Sequence, residues 1–170
     1  MPLFASADLR VFARDVFIAR CAPEDIAEEV ATALSLADLS GHPSHGVIRV
    51  PSYVEMIDDG RVIPGNRPAE ISRTANTVLI DGNWGFGHPA AAYAAREVAA
   101  MAMESGIALV GCVHLNHIGR LGQWAELAAD RGIVLIMLTG GEYTTMTGAP
   151  FGGMGRALST NPMAAAVPSA

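Results

Sequence analysis

Two histidines, a serine and an arginine crowd into nine residues, Gly41-His42-Pro43-Ser44-His45-Gly46-Val47-Ile48-Arg49. If a helix starts at Ser44, then His45, Arg49 and Tyr53 fall at i, i+4 and i+8 and share one stripe of its surface. Val47, Val50, Val54 and Ile57 fall on a different, apolar stripe. Such a helix would bury one side and present an imidazole, a guanidinium and a phenol elsewhere. A guanidinium offers a planar fork that matches a carboxylate, and a histidine one turn away could bond the same ligand. The same residues also suit an ordinary helix start, with Ser44 as cap and Arg49 in a surface ion pair.

A second reactive stretch is His114-Leu115-Asn116-His117-Ile118-Gly119-Arg120-Leu121-Gly122, between an apolar run and a helical pattern. Ligands of α/β sheets sit at the carboxyl ends of strands. A histidine there titrates near neutrality and can exchange a proton with a hydroxyl or carbonyl; capping the loop is the plainer role. His42-x-x-His45 and His114-x-x-His117 also invite a zinc reading. Neither pair has a nearby carboxylate, and Cys112 is the only thiol close by. Pro43 further opposes a regular helix that would aim His42 and His45 together. No metal is therefore expected. The glycine-rich pieces at 82–87, 140–141 and 148–155 contain neither GxGxxG after a strand, nor a P-loop, nor a Gly-x-Ser-x-Gly elbow. Tyr143, Thr144, Thr145 and Thr147 read as loop.

The elements that must position these groups change character along the chain. A first helix is expected from a Ser6 N-cap to about Arg20, through Leu9, Phe12, Val16 and Phe17. A second begins near Pro23, with Glu24 and Asp25 at its positive end, and runs to about Asp38. The third, from Ser44, stops at Gly60. Residues 1–66 thus read as a helical segment. Residues 67–170 read as an α/β layer. It has short strands at 71–73 and 77–80, an Asp81-Gly82-Asn83 turn and an alanine-rich helix to Ser105. A strand over 107–113, a helix over 122–131, a buried strand over 133–138 and a strand from Met163 follow. The chain reaches Ala170 as that last strand finishes, an odd way to close a sheet, so a truncated α/β domain is expected.

Bulk properties narrow the class. The 170 residues suffice for one ordinary domain, and 51% are hydrophobic against 16% charged. No run approaches the length of a spanning helix, so the surplus suggests faces covered by another subunit or by further chain. A net charge of −6 with scattered basic residues argues against nucleic acid or an anionic membrane as partner. The N-terminus lacks a signal-peptide pattern, and two cysteines form no disulfide framework, so a cytoplasmic setting is expected.

Taken in order, the pieces resemble the malate/L-lactate dehydrogenase family that is distinct from ordinary Rossmann enzymes. They are Ala37-Asp38-Leu39-Ser40-Gly41, Ser44-His45-Gly46-Val47-Ile48-Arg49 with Tyr53, and Asp81-Gly82 with Gly85-Phe86-Gly87. Asn116-His117-Ile118-Gly119, Pro150-Phe151-Gly152-Gly153 and Ser159-Thr160-Asn161-Pro162 complete the series. The form of 117–122 and 156–162 looks most like the hydroxycarboxylate dehydrogenase branch, which tolerates Ser159 where many relatives have glycine. The resemblance implies a non-classical NAD(P)-binding α/β layer with a mixed sheet. It implies hydride transfer between NAD or NADP and a 2-hydroxy acid or its 2-oxo partner, in a homodimer. His117 matches the acid/base histidine; Ser44, His45, Arg49 and Tyr53 match the substrate-binding motif, with Arg49 as carboxylate clamp. Gly141, Thr160, Asn161 and Pro162 would lie near the nicotinamide. Family chains are about twice as long, and their other half adds cofactor contacts and an acidic partner in the active site. Residues 1–170 alone are therefore expected to show little or no dehydrogenase activity. The alternative from another class is a non-catalytic chain that binds a small carboxylate or a partner subunit.

Overall fold

A computed structural model describes residues 3–141 and 148–169. The Tyr143–Thr147 loop reading falls outside the described residues. Three helices come first: α1 (Ser6–Ile18), α2 (Glu24–Leu39) and α3 (Val50–Asp58). They pack through Phe17, Ile26, Val30, Leu34 and Tyr53, all at most 3% exposed. Pro23 caps α2 from outside, where its missing N–H costs nothing, and Glu24 and Asp25 occupy the first turn as expected. Ser6 is not the cap of α1. Ala5 holds the extended N-cap position, no side chain caps it, and Ser6 is the first helical residue.

The larger correction lies in the reactive stretch. No regular helix begins at Ser44. Two single 3₁₀ turns, Pro43–His45 and Val47–Arg49, precede α3. Gly46 separates them in an extended conformation, φ −89° and ψ −156°. A Cβ at Gly46 would stand 2.0 Å from the Asp38 carboxylate, whose other oxygen accepts the Val47 N–H at 2.9 Å. The carboxylate thus takes over a bond that a continuous helix would have supplied. Gly46→Ala should destabilise the fold by about 1–3 kcal/mol through this clash, read as a lower urea midpoint with unchanged slope.

The second layer is mixed. β1 (Ala69–Arg73) pairs antiparallel with β2 (Thr77–Asp81), and β2 pairs parallel with β3 (Leu109–Val113). The crossover between the parallel strands is α4 (Gly87–Ser105). Its alanines combine strong helix propensity with small volume. They let α4 sit against Ala33 of α2 on one side and against Val78 and Ile80 of the sheet on another. Helix α5 (Leu121–Ala129) follows, docked by Trp124. The expected stops Gly60, Gly106 and Gly132 all adopt left-handed backbone.

β4 (Leu135–Leu138) and β5 (Met163–Ala166) form a separate antiparallel pair against α5. The run 133–138 is therefore not a buried strand. Its side chains alternate, with Ile136 at 64% and Leu138 at 73% exposure, while Met137 packs toward Ile118 and Trp124. Helix α5 covers one face of this ribbon, the face that carries Met137. No helix among the described residues is long and apolar enough to cross a membrane.

Candidate active site

The carboxyl end of β3 feeds the loop 114–120, and this loop meets the two 3₁₀ turns and α3. Asn116 ties it down: its side-chain amide donates to the carbonyls of Arg61, Trp84 and Gly85 at 2.9–3.1 Å. Trp124 Nε1 donates to the Ile118 carbonyl at 2.7 Å from the far side. His117 is held between these anchors.

Its Nδ1 lies 2.6 Å from the Tyr53 hydroxyl. Burial raises the Tyr53 pKa, with nearby Arg49 opposing, so the phenol keeps its proton. A hydroxyl both donates and accepts, which lets Tyr53 serve either imidazole tautomer and the imidazolium. The ring of His45 stacks on His117 with centroids 5.3 Å apart and planes at 28°. Ser44 Oγ bonds His45 Nδ1 at 2.9 Å, and Arg49 Nε donates to the Ser44 carbonyl at 2.6 Å. The terminal guanidinium nitrogens of Arg49 have no hydrogen-bond partner among the described residues. Ser44, His45, Arg49, Tyr53 and His117 are thus brought together.

The electrostatics favour a neutral imidazole. Burial first, then the charges of Arg49 and His45, push His117 down to about 4. Burial, Arg49 and His42 also lower His45. A third histidine, His88 in the first turn of α4, is wholly buried and pushed down to about 3 by burial, with His117 and His45 adding to it. Unfolded histidines bind a proton below about pH 6.5, where His117 and His88 in the fold still do not. Stability conferred by these two groups is therefore full above that value and falls as pH drops toward 4. Each contributes a slope of up to about 1.4 kcal/mol per pH unit. Urea unfolding at pH 7 and pH 5 should give a clearly smaller free energy at pH 5; equal values would mean these imidazoles are not held neutral.

The other expected residues form a second group. Ser159 Oγ donates to the Gly141 carbonyl at 3.1 Å, Asn161 Nδ2 to the Ser159 carbonyl at 3.2 Å, and the Thr139 N–H to the Pro162 carbonyl at 3.2 Å. Thr160, Asn161 and Pro162 are exposed at one end of the β4–β5 ribbon. No hydrogen bond joins this group to His117 among the described residues; packing of Met137 toward Ile118 is what relates them. Gly140 leaves room for the side-chain Oδ1 of Asn161, 3.3 Å from where a Cβ would stand. Exposed amide and hydroxyl groups with little side-chain bulk fit the carboxamide end of a nicotinamide.

The two pairs of the zinc reading split, with His45 and His117 stacked on each other and His42 and His114 turned to other partners. His114 bonds Asp81 at 3.0 Å and packs on Trp84, and His42 bonds the Ser40 carbonyl at 3.0 Å. No group of three or more His, Cys, Asp or Glu among the described residues is placed to hold a metal. Sequence reasoning missed His88 and the positioning role of Asp38. A histidine directly after Gly-Phe-Gly, opening an alanine helix, was the available hint for the first.

An imidazole with depressed affinity for protons, a phenol bonded to it and a guanidinium with open terminal nitrogens thus stand together on a mixed α/β scaffold. The chain belongs to the malate/L-lactate dehydrogenase family, whose model matches residues 4–170. It is 33% identical over 159 residues to the L-lactate dehydrogenase of Cupriavidus necator, covering 94% of this chain and 46% of that protein. Hydroxycarboxylate dehydrogenase B of Escherichia coli is 34% identical over 165 residues, covering 97% and 45%. The solved malate dehydrogenase of Entamoeba histolytica superposes with a TM-score of 0.90 at 30% identity, covering 99% and 46%. The chain spans about half the length of the curated relatives it matches.

Proposed function

We propose that this chain carries the acid/base and carboxylate-binding part of an NAD- or NADP-dependent dehydrogenase acting on a 2-hydroxy acid and its 2-oxo partner. The observation that carries the reading is the Tyr53–His117 hydrogen bond with Arg49 alongside. Arg49 holds the substrate carboxylate through its terminal nitrogens, and Ser44 and His45 complete the pocket. In oxidation, Nδ1–H of His117 donates to the Tyr53 oxygen, and Nε2 takes the proton of the substrate hydroxyl. The C–H electron pair at C2 leaves as hydride, and C2 becomes a carbonyl. A nicotinamide, when bound, supplies the hydride acceptor, with Gly141, Thr160, Asn161 and Pro162 beside it. In reduction the proton on His117 returns to the carbonyl oxygen.

Residues 1–66 serve as the helical substrate segment and 67–170 as part of the nucleotide-binding layer, in a cytoplasmic homodimer. The test is turnover by the complete translated product that contains these residues. Oxidation of NADH or NADPH dependent on 2-oxo acids is expected; failure with every acid of a broad panel, at any pH between 5 and 9 or so, overturns the reading.

A further inference from the structure

The first turn of α4 fits under the loop that carries His117 with no space to spare. A Cβ on Gly87 would stand 2.3 Å from the Asn116 carbonyl oxygen and 2.5 Å from that of His117. One residue on, the imidazole of His88 faces Gly119, where a Cβ would stand 2.7 Å from Nε2 and the backbone is left-handed at φ +73°. Gly119 is thus closed to any side chain on both counts. The His88 ring is 1% exposed and lies edge-on to three others: Tyr53 at 5.7 Å, Trp124 at 6.2 Å and His117 at 6.4 Å between centroids. It therefore touches both partners of the Tyr53–His117 hydrogen bond and the backbone two residues beyond His117.

Core filling does not explain this side chain. Neither ring nitrogen of His88 has a hydrogen-bond partner among the described residues, and a buried polar group left unpaired lowers stability relative to an apolar one. A branched aliphatic chain would lack the flat edge that meets Tyr53 and Trp124.

We propose that His88 is a positioning residue for His117, fixing the 117–119 loop through Gly119 and keeping the Tyr53–His117 hydrogen bond in line. Being buried, it acts through those two rings and not on substrate. The proposal rests on the acid/base reading of His117, whose surroundings are Arg49, His45, Tyr53 and His88.

The test is an imidazole proton–nitrogen correlation spectrum of the isotopically labelled chain across pH, with folding checked by cooperative melting. In the wild type, His117 should show one tautomer and a slowly exchanging proton shared with Tyr53. His88→Ala should mix the tautomers and speed exchange of that proton tenfold or so. It should also move the His117 midpoint up by about one pH unit or more as the loop admits water. His88→Gln, which restores reach toward Gly119, should recover most of the wild-type pattern. Unchanged His117 signals in folded His88→Ala overturn the proposal. Should that variant not fold, His88→Asn decides in the same way, because its shorter side chain stays polar but cannot reach Gly119. These spectra need no turnover, so they stand apart from the kinetic test of His117 itself.

Discussion

In the complete translated product that contains these residues, replacing His117 by alanine should abolish the proposed 2-oxo acid reduction while leaving dinucleotide affinity within about twofold. A positioned acid/base group contributes about 10²–10⁴ in rate. No other imidazole can stand in for it: His45 lies stacked on its face, and His88 is buried behind it. The residues expected beside the cofactor lie on the β4–β5 ribbon and share no hydrogen bond with His117 among the described residues. A loss of turnover with cofactor binding intact is thus the separable outcome. Retained turnover would remove His117 from the chemistry and leave its bond to Tyr53 as a structural contact.

Arg49→Ala should weaken substrate binding by about 2–5 kcal/mol, the cost of losing a bidentate charged contact. Its Nε is already committed to the Ser44 carbonyl, which orients the fork and leaves the terminal nitrogens for a carboxylate. The same substitution removes a positive charge that presses on His117, so the His117 midpoint should rise. Arg49→Lys should restore the midpoint but little of the affinity, because an ammonium lacks the planar fork. Titration with a 2-oxo acid and with the corresponding uncharged amide separates these effects. Unchanged affinity for the acid in Arg49→Ala would exclude the clamp.

The residues of the site were legible in the sequence, but the geometry that unites them was not. His45, Arg49 and Tyr53 read as one helical stripe behind a Ser44 start. They converge instead because Gly46 interrupts the helix and Asp38 bonds the exposed amide of Val47. Gly46 inside the supposed helix was the local warning; the Asp38 carboxylate eight residues before it is a tertiary fact that no spacing rule contains. Helix ends at Gly60, Gly106 and Gly132 were readable because left-handed backbone selects glycine locally. The strand over 133–138 was read as buried because apolar runs look alike whether one face or two are covered. The pairing of β4 with β5, more than twenty positions apart, decided otherwise. His88 escaped notice because burial of a histidine depends on what α4 packs against.

The packing of Trp124 beside His88 has an optical consequence. The chain has two tryptophans, and they report on different places. Trp84 is 44% exposed against His114 and emits as a solvated indole, whereas Trp124 is 2% exposed with its N–H bonded inside the fold. An imidazolium quenches a neighbouring indole where a neutral imidazole does so weakly. The blue component of the emission should therefore dim as His88 takes up a proton, a change readable without a label or a substrate.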